Sequence, residues 1–288
     1  MVQYLVAGLA NGSLYALLAL GLVLTLRSSN VLNFAQGDLA TLFAFVCYGA
    51  VLTLKLPFAV ALALSLSISA VFGVLVYNVL IFPLRNRGQI ALKFVALSFS
   101  LAILGVVSLI WGPESRTFPS PFPAASYQLA GIYIASYQLW MFVLCMISMG
   151  LVGAFLRYTD LGLAMRVAAE NADVAQLLGV DLRLTGSLAW GAGAVLATIT
   201  GVIVASGVYL SPTVMGLVVL KAFAALVLGG MVSTVGVVAG AFLIGILESV
   251  VAWLWTPLLQ DSVSLVLVIV ILLVSPGGLV RRGHVWRG

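Results

Sequence analysis

Lys221 and Glu248 are charged side chains inside long apolar stretches, where a charge is costly unless it is paired or functional. A cation and an anion at such positions can form a salt bridge that offsets their desolvation, and we expect this pairing. Three other interpretations stay open. Lys221 can bind the carboxylate of a substrate, extend its amine to an interface, or join Glu248 and Asp38 in a relay for protons or sodium ions.

The composition shows that these charges lie in a membrane protein. Of 288 residues, 63% are apolar and 7% are charged, and the mean hydropathy is +1.24. Soluble domains carry about a quarter charged residues, so the chain is an integral membrane protein. Two cysteines, Cys47 and Cys145, exclude a disulfide scaffold and a multi-cysteine zinc site. The net charge of +5 indicates basic cytoplasmic loops rather than binding of nucleic acid.

Nine apolar segments are candidates for membrane helices, since a helix needs about 20 residues to cross about 30 Å of hydrocarbon. They are 4–26, 39–54, 57–82, 91–111, 137–156, 185–206, 213–230, 235–254 and 262–275. The second and the last are short, so discontinuous or re-entrant helices are possible and eight or ten elements stay open. The predicted fold is an all-α polytopic membrane protein with about nine (eight to ten) transmembrane or re-entrant helices in one domain, 1–288.

Basic residues predict the orientation, because Lys and Arg are retained on the cytoplasmic side. With the amino terminus outside, ten basic residues fall inside, against Lys55 and Arg116 outside. The ten are Arg27, Arg85, Arg87, Lys93, Arg157, Arg166, Arg183, Arg281, Arg282 and Arg287. We therefore expect the amino terminus outside and the carboxyl terminus in the cytoplasm. Met1 leads straight into apolar sequence, which favours a first membrane helix over a cleaved signal peptide.

A polar cluster of Asn33, Gln36 and Asp38 separates the first two segments, and Gly37 permits an irregular backbone there. One interpretation is a broken helix whose free backbone groups face a transport path. The other is a cytoplasmic cap in which Asp38 is the N-cap of the second helix. Further polar candidates for the path are Asn11, Ser13, Tyr15, Ser233 and Thr234.

The cytoplasmic loop 157–183 is the most charged stretch of the chain. Arg166, Glu170 and Asp173 follow one another at spacings of four and three, which predicts one polar stripe on a short amphipathic helix, or on two. Asp160 is the expected N-cap and Gly179 the expected C-terminal stop. The mixed charge favours a helix that fills a groove on a soluble partner over one that lies on lipid.

The external loop 112–136 carries four prolines, which prevent a helix and favour a stiff cap. The prolines are Pro113, Pro119, Pro121 and Pro123. A docking surface for a partner and a solvated connector both stay open for this loop.

The stretch Gly162–Val180 resembles the cytoplasmic coupling loop of ABC importer permeases, in the version found in the branched-chain amino acid permease family. Further blocks in family order are Gly8–Leu22, Asn33–Asp38, Gly229–Glu248 and Ser275–Leu279. Gln36 stands where many members have a histidine. The resemblance implies an ABC importer permease bundle whose coupling residues are Arg166, Glu170, Asn171, Asp173 and Gly179.

The resemblance further implies a five-part machine in a bacterial inner membrane. Its parts are two permeases, identical or homologous, two cytoplasmic ATPases and a periplasmic binding protein that delivers branched-chain amino acids or related solutes. ATP and Mg would be held by the ATPases, and no cofactor is expected on this chain. The sequence agrees, because it has no Gly-x-x-x-x-Gly-Lys-Ser/Thr phosphate loop.

Two other classes of protein agree less well with the sequence. An ion-coupled secondary transporter would use Asp38, Lys221 and Glu248, but it has no evident need for a coupling-type helix. An intramembrane enzyme is not expected. The one histidine, His284, lies in the terminal tail and no Gly-x-Ser-x-Gly is present.

Overall fold

The computed structural model describes residues 1–85, 87–123, 125–129, 132–231 and 233–274, in which the chain forms eleven α-helices and one β-hairpin. The helices are α1 (Val2–Ser29), α2 (Gln36–Leu52), α3 (Phe58–Val76), α4 (Gln89–Trp111), α5 (Ser136–Tyr158), α6 (Asp160–Glu170), α7 (Ala172–Leu177), α8 (Leu182–Gly207), α9 (Gly216–Leu228), α10 (Thr234–Leu254) and α11 (Gln260–Val274). The strands are β1 (Ser126–Leu129) and β2 (Ile132–Ala135). The family block Ser275–Leu279, the basic residues Arg281, Arg282 and Arg287, and His284 lie outside the described residues.

The nine predicted segments correspond in order to nine apolar helices, α1 to α5 and α8 to α11. Six of these are long and apolar enough to cross a membrane, including α3, which a π-helical turn and a 3-10 turn extend to Leu84. The remaining three, α2, α9 and α11, are shorter. The all-α multi-pass prediction is confirmed, and α9 is shorter than the sequence suggested.

Helix α1 forms the centre of the bundle. Every residue from Gly12 to Thr25 is buried, because α1 packs against α10, α8, α5 and α9. A helix that is apolar on all sides is typical of such a fully enclosed position. Helices α4 and α11 lie at the periphery: α4 packs mainly on α2, and α11 on α9 and α10.

Glycines allow the backbones of α1 and α10 to come into direct contact. A Cβ on Gly8 would lie 2.6 Å from the carbonyl oxygen of Gly245, and a Cβ on Gly245 would lie 2.6 Å from the amide nitrogen of Gly12. Small residues let helices pack by direct backbone contact in lipid, where no hydrophobic force drives them together. The four-residue spacing of Gly8 and Gly12 therefore serves packing.

The external loop contains the antiparallel pair β1–β2, with Ser126 opposite Ala135 and Leu129 opposite Ile132. The sequence did not predict this hairpin. Backbone hydrogen bonds in both directions between Arg116 and Leu210 join the loop to the segment between α8 and α9. The loop is therefore held over one end of the bundle.

We predict that Gly245→Val destabilises the bundle by about 1–3 kcal/mol, because the added carbons overlap the α1 backbone. Thermal melting of the purified protein in detergent, followed by size-exclusion chromatography, measures the loss. Gly105→Val on α4 is the matched control, since a Cβ there meets no atom within 4 Å. Equal melting of both variants would contradict the close approach of α1 and α10.

Candidate functional site

Four helices meet at a buried group of charges, the lysine cluster, formed by Tyr15, Lys221, Glu248 and Asp261. Lys221 Nζ lies 3.1 Å from Glu248 Oε2 and 2.8 Å from Asp261 Oδ1. It also donates a hydrogen bond to the Tyr15 hydroxyl at 3.2 Å, and that hydroxyl donates to Glu248 Oε2 at 3.0 Å. The cluster thereby connects α1, α9, α10 and α11.

The salt bridge expected between Lys221 and Glu248 is present. Asp261 was missed, because the sequence places it at the start of the last apolar segment, 40 residues from its partner. The Glu248 side chain is fully buried and Lys221 is 7% exposed, whereas Asp261 is 55% exposed. The cluster therefore runs from the surface of the bundle into its core.

The arrangement limits the chemistry available to Lys221. Its amine is already shared between two carboxylates and a hydroxyl, so pairing accounts for it without a substrate carboxylate. The second oxygen of Glu248, Oε1, accepts no hydrogen bond from the described residues. The cluster sets one cation against two carboxylates, so Glu248 Oε1 keeps its capacity to accept a hydrogen bond.

A second buried group connects the start of α2 to α8. Asn33 Nδ2 donates to Gln36 Oε1 at 2.8 Å, and Gln36 Nε2 donates to the carbonyl oxygen of Gly193 at 2.8 Å. Asn33 and Gln36 are at most 1% exposed. Gln36 therefore joins the start of α2 to α8, and both amides are buried.

Helix α2 begins inside the bundle rather than at its edge. The non-helical residues 31–35 include the buried Val31 and Ala35, and Gln36 reaches the middle of α8 at Gly193. The N-cap is Ala35, so the interpretation of Asp38 as the N-cap is wrong. The arrangement supports the alternative, a chain that breaks its helix and re-enters the bundle.

Helix α9 begins beside the start of α2 and runs in the opposite direction. A Cβ on Gly37 would overlap the side chain of Val219, and the Phe34 ring lies 5.9 Å from the Phe223 ring. Gly37 is thus required for close approach. Two short helices that start side by side with opposite directions are a feature of transporters with inverted repeats.

The other polar candidates are not brought into one site. Asp38 is half-buried and accepts a hydrogen bond from Ser100 of α4. Ser13 donates to the carbonyl of Ala10 in its own helix, and Asn11 is partly buried. At the start of α10, Ser233 caps the helix by accepting from the amide of Gly236, and Thr234 accepts from Arg27 at 3.4 Å.

Between α5 and α8, helices α6 and α7 form a capped pair. Thr159, not Asp160 as predicted, is the N-cap of α6, because its hydroxyl accepts from the amide of Gly162 at 3.0 Å. Asn171 separates the two helices and caps α7 by accepting from the amides of Asp173 and Val174. The break at Asn171 means that Glu170 and Asp173 belong to different helices rather than to one stripe.

The end of α7 agrees with the sequence. The helix ends at Leu177, and Gly179 follows with a φ of +84° in the left-handed region. The amide of Val180 donates to the carbonyl of Ala175, which satisfies the last turn. Gly179 is therefore a helix stop.

The pair buries one face and exposes the other. Met165 and Ala168 of α6 are buried, and α6 packs against α5 and α8. At the tip of the pair, Leu177 is 87% and Leu178 71% exposed. Arg166 lines a small cleft together with Arg27 beneath α6, while Glu170 and Asp173 are exposed.

We predict that Lys221→Met lowers stability by about 3–5 kcal/mol, because it leaves Glu248 charged and buried without its cation. The double variant Lys221→Met with Glu248→Gln should recover most of the loss. Thermal melting in detergent measures both variants, with Lys93→Met, on an exposed lysine of α4, as the control. Wild-type melting of the single Lys221→Met variant would show that the cluster does not hold the bundle.

Comparison with known proteins shows which protein family this chain resembles. A family model described as "Branched-chain amino acid transport system / permease component" matches residues 4–274. The chain is 28% identical to the high-affinity branched-chain amino acid transport system permease protein BraD of Pseudomonas aeruginosa, covering 99% of this chain and 97% of BraD. It is also 28% identical to the permease protein LivH of Escherichia coli K12, over 99% and 96% of the two chains. For the probable LivH of Methanocaldococcus jannaschii the identity is 28%, over 93% and 88%.

A solved structure, PsaBC from Streptococcus pneumoniae in complex with Fab, contains a chain of similar fold. The TM-score is 0.51 at 10% identity, over 94% of this chain and 91% of that one. This likeness concerns the fold alone. From the family match across nearly its whole length, the chain belongs to the branched-chain amino acid permease family and is a multi-pass membrane permease of the ABC importer type.

Proposed function

We propose that this chain is one of two permease subunits in an ATP-driven importer of branched-chain amino acids or related small solutes. A periplasmic binding protein delivers the solute, and two cytoplasmic ATPase subunits hold ATP and Mg and hydrolyse ATP. The names of the full-length relatives support the solute class. The absence of a phosphate loop from the sequence supports placing ATP on other subunits.

The α6–α7 pair carries this proposal. Caps at Thr159 and Asn171 make it a preformed element, and its tip exposes Leu177 and Leu178. An apolar tip beside exposed acidic residues suits a groove on a soluble partner. Because α6 packs on both α5 and α8, a push on the pair would move the ends of two membrane helices. Of the predicted coupling residues, Arg166, Glu170 and Asp173 are exposed and would contact an ATPase. Asn171 and Gly179 shape the element, as cap and helix stop.

The solute path runs along the face formed by α4, α2, α9 and α11. These four helices pack in a row, with α4 and α11 at its two edges. The contact of Asp38 with Ser100 lies on one side of the row, and the exposed Asp261 lies on the other. The second permease, identical or homologous, would close this face, and shifts of the short helices α2 and α9 would open it.

The amino terminus faces the periplasm and the α6–α7 pair faces the cytoplasm of a bacterial inner membrane. Basic side chains at the α6–α7 end support this orientation. Arg85 and Arg183 both lie over the Phe82 ring, at 4.4 and 5.2 Å, and Arg27 and Arg166 line one cleft.

An ion-coupled carrier is not favoured by the family match or by the geometry. Its relay would require Asp38 to communicate with Glu248. In the part of the chain that the structure describes, Asp38 is bonded to α4 and Glu248 belongs to the separate lysine cluster.

We predict that Leu177→Asp weakens binding of the ATPase subunits about tenfold or more, because it places a charge at the exposed apolar tip. Glu170→Arg should also weaken binding of the ATPase subunits, because it reverses a charge on the exposed surface of the pair. Co-purification in mild detergent and ATP-dependent uptake in vesicles measure both effects.

Glu114→Arg reverses an exposed charge at the opposite end of the bundle and is the matched control. It should leave ATPase binding unchanged. Normal ATPase binding and uptake in Leu177→Asp and Glu170→Arg would refute the role of the α6–α7 pair.

A further inference from the structure

An apolar crevice of about 590 Å³ opens between α3, α5 and α8. All fifteen residues that line it are apolar, among them Ala70 and Val74 of α3, Leu151 of α5 and Ala192 of α8. The volume falls within the range of about 300–1,000 Å³ that is typical of small-molecule sites. A wall without polar groups binds hydrocarbon better than it binds a polar solute.

One end of the crevice adjoins positive charge. The crevice shares three residues with the small cleft beneath α6: Leu24, Leu156 and Met165. The cleft, of about 20 Å³, is also lined by Arg27 and Arg166, together with Ser28, Ala169 and Thr234. This volume is that of about one water molecule, so a phosphate group would lie at the mouth of the cleft, where Arg166 is exposed. The combined surface is therefore apolar along most of its length and cationic at one end.

We propose that the crevice and the cleft together bind one anionic phospholipid. An acyl chain lies against α3, α5 and α8, and the phosphate lies at Arg27 and Arg166. Guanidinium groups bind phosphate through paired, charge-assisted hydrogen bonds. An anionic headgroup such as phosphatidylglycerol suits the two arginines better than phosphatidylcholine, because the choline cation of phosphatidylcholine neutralises its phosphate and repels guanidinium groups.

The position of the crevice favours lipid over the second permease subunit as its occupant. The crevice lies between α3, α5 and α8, whereas the proposed permease contact uses α4, α2, α9 and α11. A phospholipid carries its charge in the headgroup alone, which agrees with the position of the arginines at one end of the crevice. The cleft lies at the α6 end of the bundle, which the proposed orientation assigns to the cytoplasmic leaflet. Lipid binding does not depend on this orientation, because it requires only that the protein is inserted in a membrane.

The lipid would contact the element that receives the ATPases. Met165 of α6 lines both the crevice and the cleft, and Leu156 near the end of α5 does the same. An acyl chain at this position fills the space beneath α6 and supports it against the bundle. The inner-leaflet lipid would thus become part of the coupling element.

Native mass spectrometry of the purified protein, titrated with phosphatidylglycerol or phosphatidylcholine of identical acyl chains, tests the proposal. We expect one phosphatidylglycerol per chain, bound about tenfold more tightly than phosphatidylcholine. Arg166→Gln should bring phosphatidylglycerol to the level of phosphatidylcholine. Ala192→Phe, which fills the crevice, should weaken both lipids.

Matched controls separate the site from general effects on the membrane surface. Arg157→Gln removes an exposed arginine at the end of α5, and Ala63→Phe adds a ring to an exposed position of α3; neither residue lines the crevice or the cleft. Both should retain phosphatidylglycerol like the wild type. Equal affinity of the wild type for the two lipids, or wild-type binding by Arg166→Gln, would overturn the proposal. So would disulfide formation between two permease subunits through Val71→Cys at the crevice wall.

Because the readout is lipid binding by the permease, its failure leaves the proposed function untouched. If Leu177→Asp bound the ATPases like the wild type, the proposed role of the α6–α7 pair would fail and the lipid site would be unaffected.

Discussion

Hydrocarbon offers no hydrogen-bond partner, so each buried charge and each free backbone group in this protein must be satisfied by the chain itself. The lysine cluster meets this requirement at one level of the bundle, where Lys221 joins two carboxylates and a tyrosine. Where the chain leaves its helix before α2, the Gln36 side chain accepts a hydrogen bond from Asn33 and donates one to the carbonyl oxygen of Gly193 in α8. These two polar groups allow the short helices α2 and α9 to begin inside the bundle, beside each other.

The bundle has an enclosed centre and an exposed periphery. Helix α1 is enclosed by α8 and α10, and backbone contact at Gly8 and Gly245 leaves little room for movement there. At the periphery, α4 packs mainly on α2, and α11 packs on α9 and α10. The α6–α7 pair buries Met165 and Ala168 and leaves its tip exposed. In the proposed function, force received at the α6–α7 pair would reach the path through this enclosed centre, since α1 packs against both α6 and α9.

The sequence was sufficient for what depends on local pattern and on composition. Nine apolar segments predicted nine apolar helices, and the isolated charges Lys221 and Glu248 predicted their own pairing. It failed where a partner comes from a distant segment. In the sequence Asp261 flanks an apolar segment, and only the packing of α11 beside α9 brings it to Lys221. Gln36 lies between two apolar segments, and only the fold shows that its side-chain amide donates a hydrogen bond to the carbonyl oxygen of Gly193 in α8. The cap at Thr159 was missed because the neighbouring Asp160 is an equally good capping residue by type.

Energy coupling is the central claim, and uptake by the reconstituted complex tests it most directly. The permease, purified with its partner subunits, is placed in vesicles with ATP inside and the binding protein and labelled leucine outside. The account predicts uptake that requires enclosed ATP and persists when ionophores collapse the proton and sodium gradients. Uptake without ATP that follows either gradient would contradict it.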